Sequence, residues 1–385
     1  MQHTNDTETE TEAYMLRFFY FTRNIAGLIL VISPLAGFLY IDFNFTLSMI
    51  FLCSMAAGIP LGSACYNYLN FKLWTSLACI AACLGAFLLH TDLPVTGIGV
   101  SAAFGMAFLG LYAGGLAAVV PANLLVSWFH ASKTILTGTV FSVSFLLGIP
   151  LAALMERYTY PVLLLSIAMM LTGILFFLQQ PPIFLCAPVL CEDIRFKAGR
   201  KTMVIRLFVF IMTVSFAGGL PIFNPETPYS LDYFISPKVL FILGLAAGPF
   251  IAGLLSEFKG VYSGCIFIIF LAELSIFSFG EGQTALQLYI NAFSRGMLLS
   301  SMTVVIPITI YYTYGPGGYN SCLGKVYAAF PLGLALAGAI SGYASVFAGT
   351  HIIPSQTVSV FLLLLLIACF FTIFSTWKHR FILLK

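Results

Sequence analysis

The chain has 385 residues, 60% of them apolar and 8% charged, with a mean hydropathy of +1.00. A soluble domain carries about 25% charged residues, so a soluble enzyme, a nucleic-acid-binding protein and a disordered chain are excluded. The net charge of +3 is too small to argue for a polyanionic partner, and the nine cysteines lie scattered in apolar runs, as small buried hydrophobes and not a disulfide framework.

In chain order, residues 1–16 form a polar tail with Asp6, Glu8, Glu10 and Glu12. It lacks the basic start and small-residue cleavage site of a signal peptide, and reads as a disordered cytoplasmic tail. A membrane-crossing helix needs about 20 apolar residues. Twelve such runs are predicted, at 18–40, 45–66, 72–90, 96–126, 134–156 and 160–179, then at 204–224, 236–256, 261–279, 285–311, 323–347 and 356–376. The runs are continuous and do not alternate, which argues for helices and against a barrel. Pro121, near the end of the long fourth run, predicts a kink or an early stop.

Lys and Arg set the expected orientation. With the N-terminus in the cytoplasm, fourteen basic residues fall on the inner side, only Arg157 and Lys238 fall on the outer side, and Arg295 lies within a run. An even number of runs returns the C-terminus to the cytoplasm, where Trp377, Lys378 and Arg380 form an interfacial anchor. A proline-containing, basic linker at 181–203 divides the chain into six-helix bundles at 17–180 and 204–385. The halves echo one another: Val119-Val120-Pro121 against Val304-Val305-Ile306-Pro307, and Ile149-Pro150-Leu151 against Phe330-Pro331-Leu332. Parallel repeats of this sort suit a secondary transporter with its site between the halves.

Gly253-Leu254-Leu255-Ser256-Glu257-Phe258-Lys259-Gly260 carries glycine, acid and glycine in a loop after an even-numbered helix. Gly253 would let two helices approach closely. Glu257 would cap a neighbouring helix or pair with a basic residue at the inner face. In the first half, Gly62-Ser63-Ala64-Cys65-Tyr66-Asn67-Tyr68 has no such charges. Ser127-Trp128-Phe129-His130-Ala131-Ser132-Lys133, followed by Gly138, links runs four and five. In these motifs the chain resembles the major facilitator superfamily (MFS). The resemblance implies an all-α polytopic membrane protein of twelve transmembrane helices in two six-helix bundles. It also implies that helices one, four, seven and ten line a central cavity, and that Gly253, Glu257 and Gly260 belong to an inner gate.

An ionisable residue inside the bilayer costs at least about 2.5–3.5 kcal/mol on insertion scales, so each is a functional candidate. Arg295 lies about ten residues into run ten, roughly 15 Å down at 1.5 Å per residue. Its planar fork suits a carboxylate or phosphate; alternatively it ties helices together through backbone carbonyls or pairs with Glu273. Asn291 is on the same face, one turn away. Asn24, Tyr112 and Asn123 are further substrate-binding candidates, although Asn123 could equally bond a neighbouring helix. Glu273, in run nine, is the coupling candidate or else a structural partner.

Runs one, four, seven and ten carry no acid in their apolar cores, which weighs against a cationic substrate. Trp74, Trp128 and Trp377 sit near interfaces, not where a sugar platform would stand. Gly315-Pro316-Gly317-Gly318 lacks the Lys–Ser/Thr ending of a phosphate loop and reads as a turn. The expected function is secondary active transport of a small solute, an organic anion or small neutral metabolite, by alternating access. The alternative is a membrane ligand sensor or scaffold that does not transport. Expected partners are the small-molecule substrate, a proton or sodium ion and the lipid bilayer, with no nucleic acid, no cofactor, no metal site and no enzymatic activity. The chain is expected as a monomer in a bacterial inner membrane.

Overall fold

The computed structural model describes residues 22–23, 25–33, 45–68, 71–91, 99–128, 133–157, 168, 171–172, 175, 200–220, 237–278, 284–343, 363–368 and 370–371. The predicted tail, Asn24, residues 181–199 of the linker and most of runs six and twelve lie outside them. The described elements are helical, as apolar surroundings require, because a helix satisfies its own backbone hydrogen bonds.

The helices are α1 (Phe45–Tyr68), α2 (Phe71–Thr91), α3 (Val100–Tyr112), α4 (Val119–Trp128), α5 (Lys133–Arg157), α6 (Arg200–Gly219), α7 (Pro237–Lys259), α8 (Val261–Phe277), α9 (Ala285–Tyr327) and α10 (Ala329–Tyr343). They carry runs two to five and seven to eleven. Residues 25–33 are the helical described part of run one. Among the described residues, six helical stretches are long and apolar enough to cross a membrane, and Leu73–Leu89, Lys133–Gly148 and Val261–Phe277 are shorter apolar helices. The chain is a multi-pass membrane protein.

Three boundaries differ from expectation for identifiable reasons. Run four neither stops nor breaks at Pro121; instead α3 and α4 are joined by a π-helical turn, Ala113–Ala118. Pro121 has no N–H to offer the carbonyl of Ala117, and the preceding turn widens. Run seven starts at Arg200, four residues inside the predicted linker, because Arg and Lys are good helix formers. Run ten passes into run eleven within α9, turning at Gly315, whose φ of 68° and ψ of 176° lie where only glycine sits without strain. The start of α9 is closed by a capping box: Thr284 Oγ1 accepts from Gln287 N–H, and Thr284 N–H donates to Gln287 Oε1 at 2.9 Å.

Glycine sets the helix contacts. A Cβ on Gly58 of α1 would stand 2.8 Å from the Leu111 carbonyl oxygen and 3.2 Å from Gly115 N. In the second half a Cβ on Gly244 of α7 would run into the Phe293 carbonyl and stand 3.0 Å from Met297 N. Gly58 and Gly244 are 186 residues apart, as are Gly62 and Gly248. The repeat is therefore built into the packing: run two lies on run four as run eight lies on run ten.

The halves meet along two seams, α5 on α7 and α1 on the run-eleven segment of α9 and α10. A Cβ on Gly253 of α7 would stand 2.6 Å from the Thr134 carbonyl oxygen and 3.3 Å from Gly138 Cα, so two backbones touch there. The other seam has Gly324 against Pro60 and Ser63. Gly138 and Gly324 again differ by 186, so the seams are counterparts.

Candidate functional site

The spans that pass through the middle of the bundle are the most buried: Ala285–Gly315, then Val100–Leu125 and Gly318–Ser341. They bring most of the predicted polar residues inside, but into different surroundings.

Arg295 lies on α9 and is partly exposed on an otherwise buried stretch. Leu298 and Met302 of α9 face α6, through Gly218 and Ser215, while Gly296 faces α7 at Phe241 and Leu245. At 100° per residue Arg295 falls in the sector between those two faces. Glu273 is not its partner. The Glu273 side chain is 7% exposed in α8, and neither oxygen has a hydrogen-bond partner among the described residues.

Asn291 is buried, and its Nδ2 donates to the Ser275 carbonyl (2.6 Å) and to Ser278 Oγ (3.3 Å). Its amide ties run ten to run nine. Tyr112 is also buried, and its hydroxyl donates to the Val31 carbonyl at 2.9 Å, tying run four to run one. Asn123 is different. It is 3% exposed on α4, which packs against α9 of the other half, and neither its nitrogen nor its oxygen has a partner among the described residues. An amide in an apolar interior without partners is costly, so an uncommitted donor and acceptor await a polar group there. The Tyr327 hydroxyl and Ser301 Oγ, both 0% exposed, are uncommitted in the same way. Sequence reasoning counted Ser301 only among the hydroxyls that run ten adds beside Arg295, and it missed Tyr327, because such hydroxyls abound in apolar runs.

The predicted inner-gate residues do come together. Gly253 forms the backbone contact of the α5–α7 seam. Glu257, exposed at the end of α7, accepts a hydrogen bond from Thr134 Oγ1 in the first turn of α5. Gly260, with φ of 85°, turns the chain from α7 into α8, and Ser263 Oγ closes the turn on the Gly260 carbonyl at 2.7 Å. Further along the same seam, Ser142 Oγ donates to the Ala246 carbonyl at 2.5 Å.

Across the other seam, Ser63 Oγ donates to the Asn320 carbonyl at 2.5 Å. Nearby, Tyr319 donates to the Ala122 carbonyl (3.2 Å) and Lys133 Nζ to the Tyr311 hydroxyl (2.7 Å). These bonds between halves gather toward one end of the spans, the end that carries Ser63, Ala122, Lys133, Glu257 and Tyr311. Among the described residues no group of three or more His, Cys, Asp or Glu side chains is placed to hold a metal ion.

No family model matches the chain, and no curated protein sequence matches it. Solved structures do. The human organic anion transporter MFSD10 is 14% identical over 91% of this chain and 98% of its own, with a TM-score of 0.64. A bacterial homologue of the iron transporter ferroportin, in an outward-facing state, is 14% identical over 92% and 99%, with a TM-score of 0.62. The MFS transporter FucP, in the outward conformation, is 13% identical over 92% and 97%, with a TM-score of 0.60. The chain shares their fold nearly end to end: it has an MFS-like fold.

Proposed function

We propose that this chain, with the fold of the MFS transporters, is a secondary transporter of a small solute, favouring an organic anion or small neutral metabolite. The carrying observation is the pair of glycine seams that join two related halves at one end of the spans. Two rigid bundles held that way can rock about a central site and expose it alternately to each side. The charge asymmetry of the loops argues for the joined end, with both termini, in the cytoplasm, so the closed side of this reading is the inner one. A bacterial inner membrane and a monomer complete this reading.

Arg295 is the residue assigned to the substrate's negative group, since its sector between α6 and α7 is partly open and its fork binds oxyanions bidentately. Asn123, on α4 of the other half, supplies a donor and acceptor uncommitted among the described residues, nearer the joined end. Asn24 remains a candidate on its position in run one. The name of one similar structure, an organic anion transporter, is consistent with this substrate class. FucP, also among the similar structures, is a fucose:proton symporter, which agrees with a proton as the coupling ion. Glu273, buried and without a partner among the described residues, is the coupling candidate.

Thermal unfolding of the purified protein against anionic, neutral and cationic metabolites tests the reading. A ligand that binds the folded state raises the midpoint by mass action. An organic anion should stabilise the wild type and not Arg295→Ala. Stabilisation by cations alone, or an unaltered response in Arg295→Ala, would remove the anion assignment. Binding without uptake into vesicles would favour the sensor reading instead.

A further inference from the structure

The joined end holds a largely buried cation with no counter-ion among the described residues. Lys133, the first residue of α5, is 9% exposed. Its Nζ donates to the Tyr311 hydroxyl at 2.7 Å and stands 4.0 Å from the centre of the same ring. Tyr311 packs edge-on against Tyr319 at 5.7 Å, and Tyr319 is bonded back to α4. Glu257, the carboxylate of this seam, is held by Thr134, and among the described residues no ion pair joins it to Lys133.

An ammonium offers three N–H groups, and here one phenol oxygen and one ring face serve it. Taking an ammonium out of water costs more than a single neutral hydrogen bond and a ring contact return. The cost is present only while α5 lies against α9. Parting the halves returns Lys133 to water. We propose that Lys133 is the release of this closure: its buried charge opposes complete sealing, and Tyr311 offsets part of that opposition so that the end still shuts. This rests on the rocking reading above.

The test measures a distance and needs no substrate. In the full-length chain with its nine cysteines replaced, spin labels are placed at Ala64→Cys and Phe258→Cys, both exposed at the joined end, one in each half. The distance distribution is recorded in lipid nanodiscs. Lys133→Met, which keeps the chain length and removes the charge, should enrich the short distance. Tyr311→Phe, which keeps the ring and removes the acceptor, should enrich the long one, and Lys133→Arg should stay near wild type. A shift of Lys133→Met toward the long distance would make Lys133 a latch and overturn the proposal. Unmoved distributions in both variants would overturn it too. Should Lys133→Met fail to fold, Lys133→Gln removes the charge in its place and is read by the same two outcomes. Gly138→Leu, a wedge in the seam, separates the two ideas. If the wedge lengthens the distance while the Lys133 and Tyr311 variants leave it unchanged, the release is wrong and rocking stands. If the wedge also has no effect, the rocking reading fails as well.

Discussion

Arg295, Asn291 and Asn123 are all polar side chains inside apolar runs, yet their surroundings separate them. Asn291 spends its amide on Ser275 and Ser278. Asn291→Leu should therefore lower the thermal midpoint modestly, by the equivalent of about 0.6–2 kcal/mol for an interhelical hydrogen bond in lipid, and leave ligand stabilisation intact. A lost ligand response at unchanged stability would return Asn291 to the substrate site. Arg295→Ala should do the reverse, keeping the midpoint of the ligand-free protein and losing the response to anions. The position of Asn291 within run ten was legible in the sequence, but its partner was not. Whether a polar side chain one turn from Arg295 meets a cavity or a carbonyl depends on the register of run nine against run ten, and an apolar run of nearly uniform hydropathy does not encode that register. Lys133 escaped for another reason. A lysine at the start of a span ordinarily reads as a solvated end, and only the fold of the other half covers it with Tyr311.

At the scale of elements, the runs that the described residues cover were legible nearly whole, because about 20 continuous apolar residues have one stable form in a bilayer. Deviations fall where a residue lacks a group or has unusual freedom. Pro121 lacks an N–H, and α3 passes into α4 through a π turn. Gly315 adopts a conformation closed to side chains, although a Cβ there would meet nothing within 4 Å. Gly315→Ala should thus cost backbone strain alone, of order 1–3 kcal/mol, read as a lower midpoint in thermal unfolding. An unchanged midpoint would mean the turn relaxes into another form. Gly58→Leu and Gly244→Leu should be far more damaging, because each side chain would enter the backbone of a neighbouring helix. The fraction of folded protein after size-exclusion chromatography checks this, with Phe258→Ala, at a 74% exposed position, as the neutral comparison.

At the scale of the molecule, the internal repeat explains why the seams are paired and why they differ. Gly138 and Gly324, one in each seam, are 186 residues apart. That interval was present in the sequence, but among 33 glycines nothing marks those that touch until the helices are placed. The α5–α7 seam keeps the acid of its loop motif, and the α1–α9 seam replaces it with Ser63 on a backbone carbonyl. The absence of charge in the first-half loop therefore did not abolish the closure; small residues and a hydroxyl serve it. Substrate class stayed the least legible feature, because it depends on a few side chains whose aim is set by the packing of both halves.

The central claim, that two rigid halves rock about the joined end, is tested most directly at the opposite end of the same spans. Spin labels at Val100→Cys and Leu286→Cys, exposed at the starts of α3 and α9, report the gap between the halves there. Combined with the Gly138→Leu wedge, which opens the joined end, rocking predicts that this distance shortens. A distance that stays at its wild-type value while the joined end opens would contradict the account and leave a protein that flexes at one end without alternating its access.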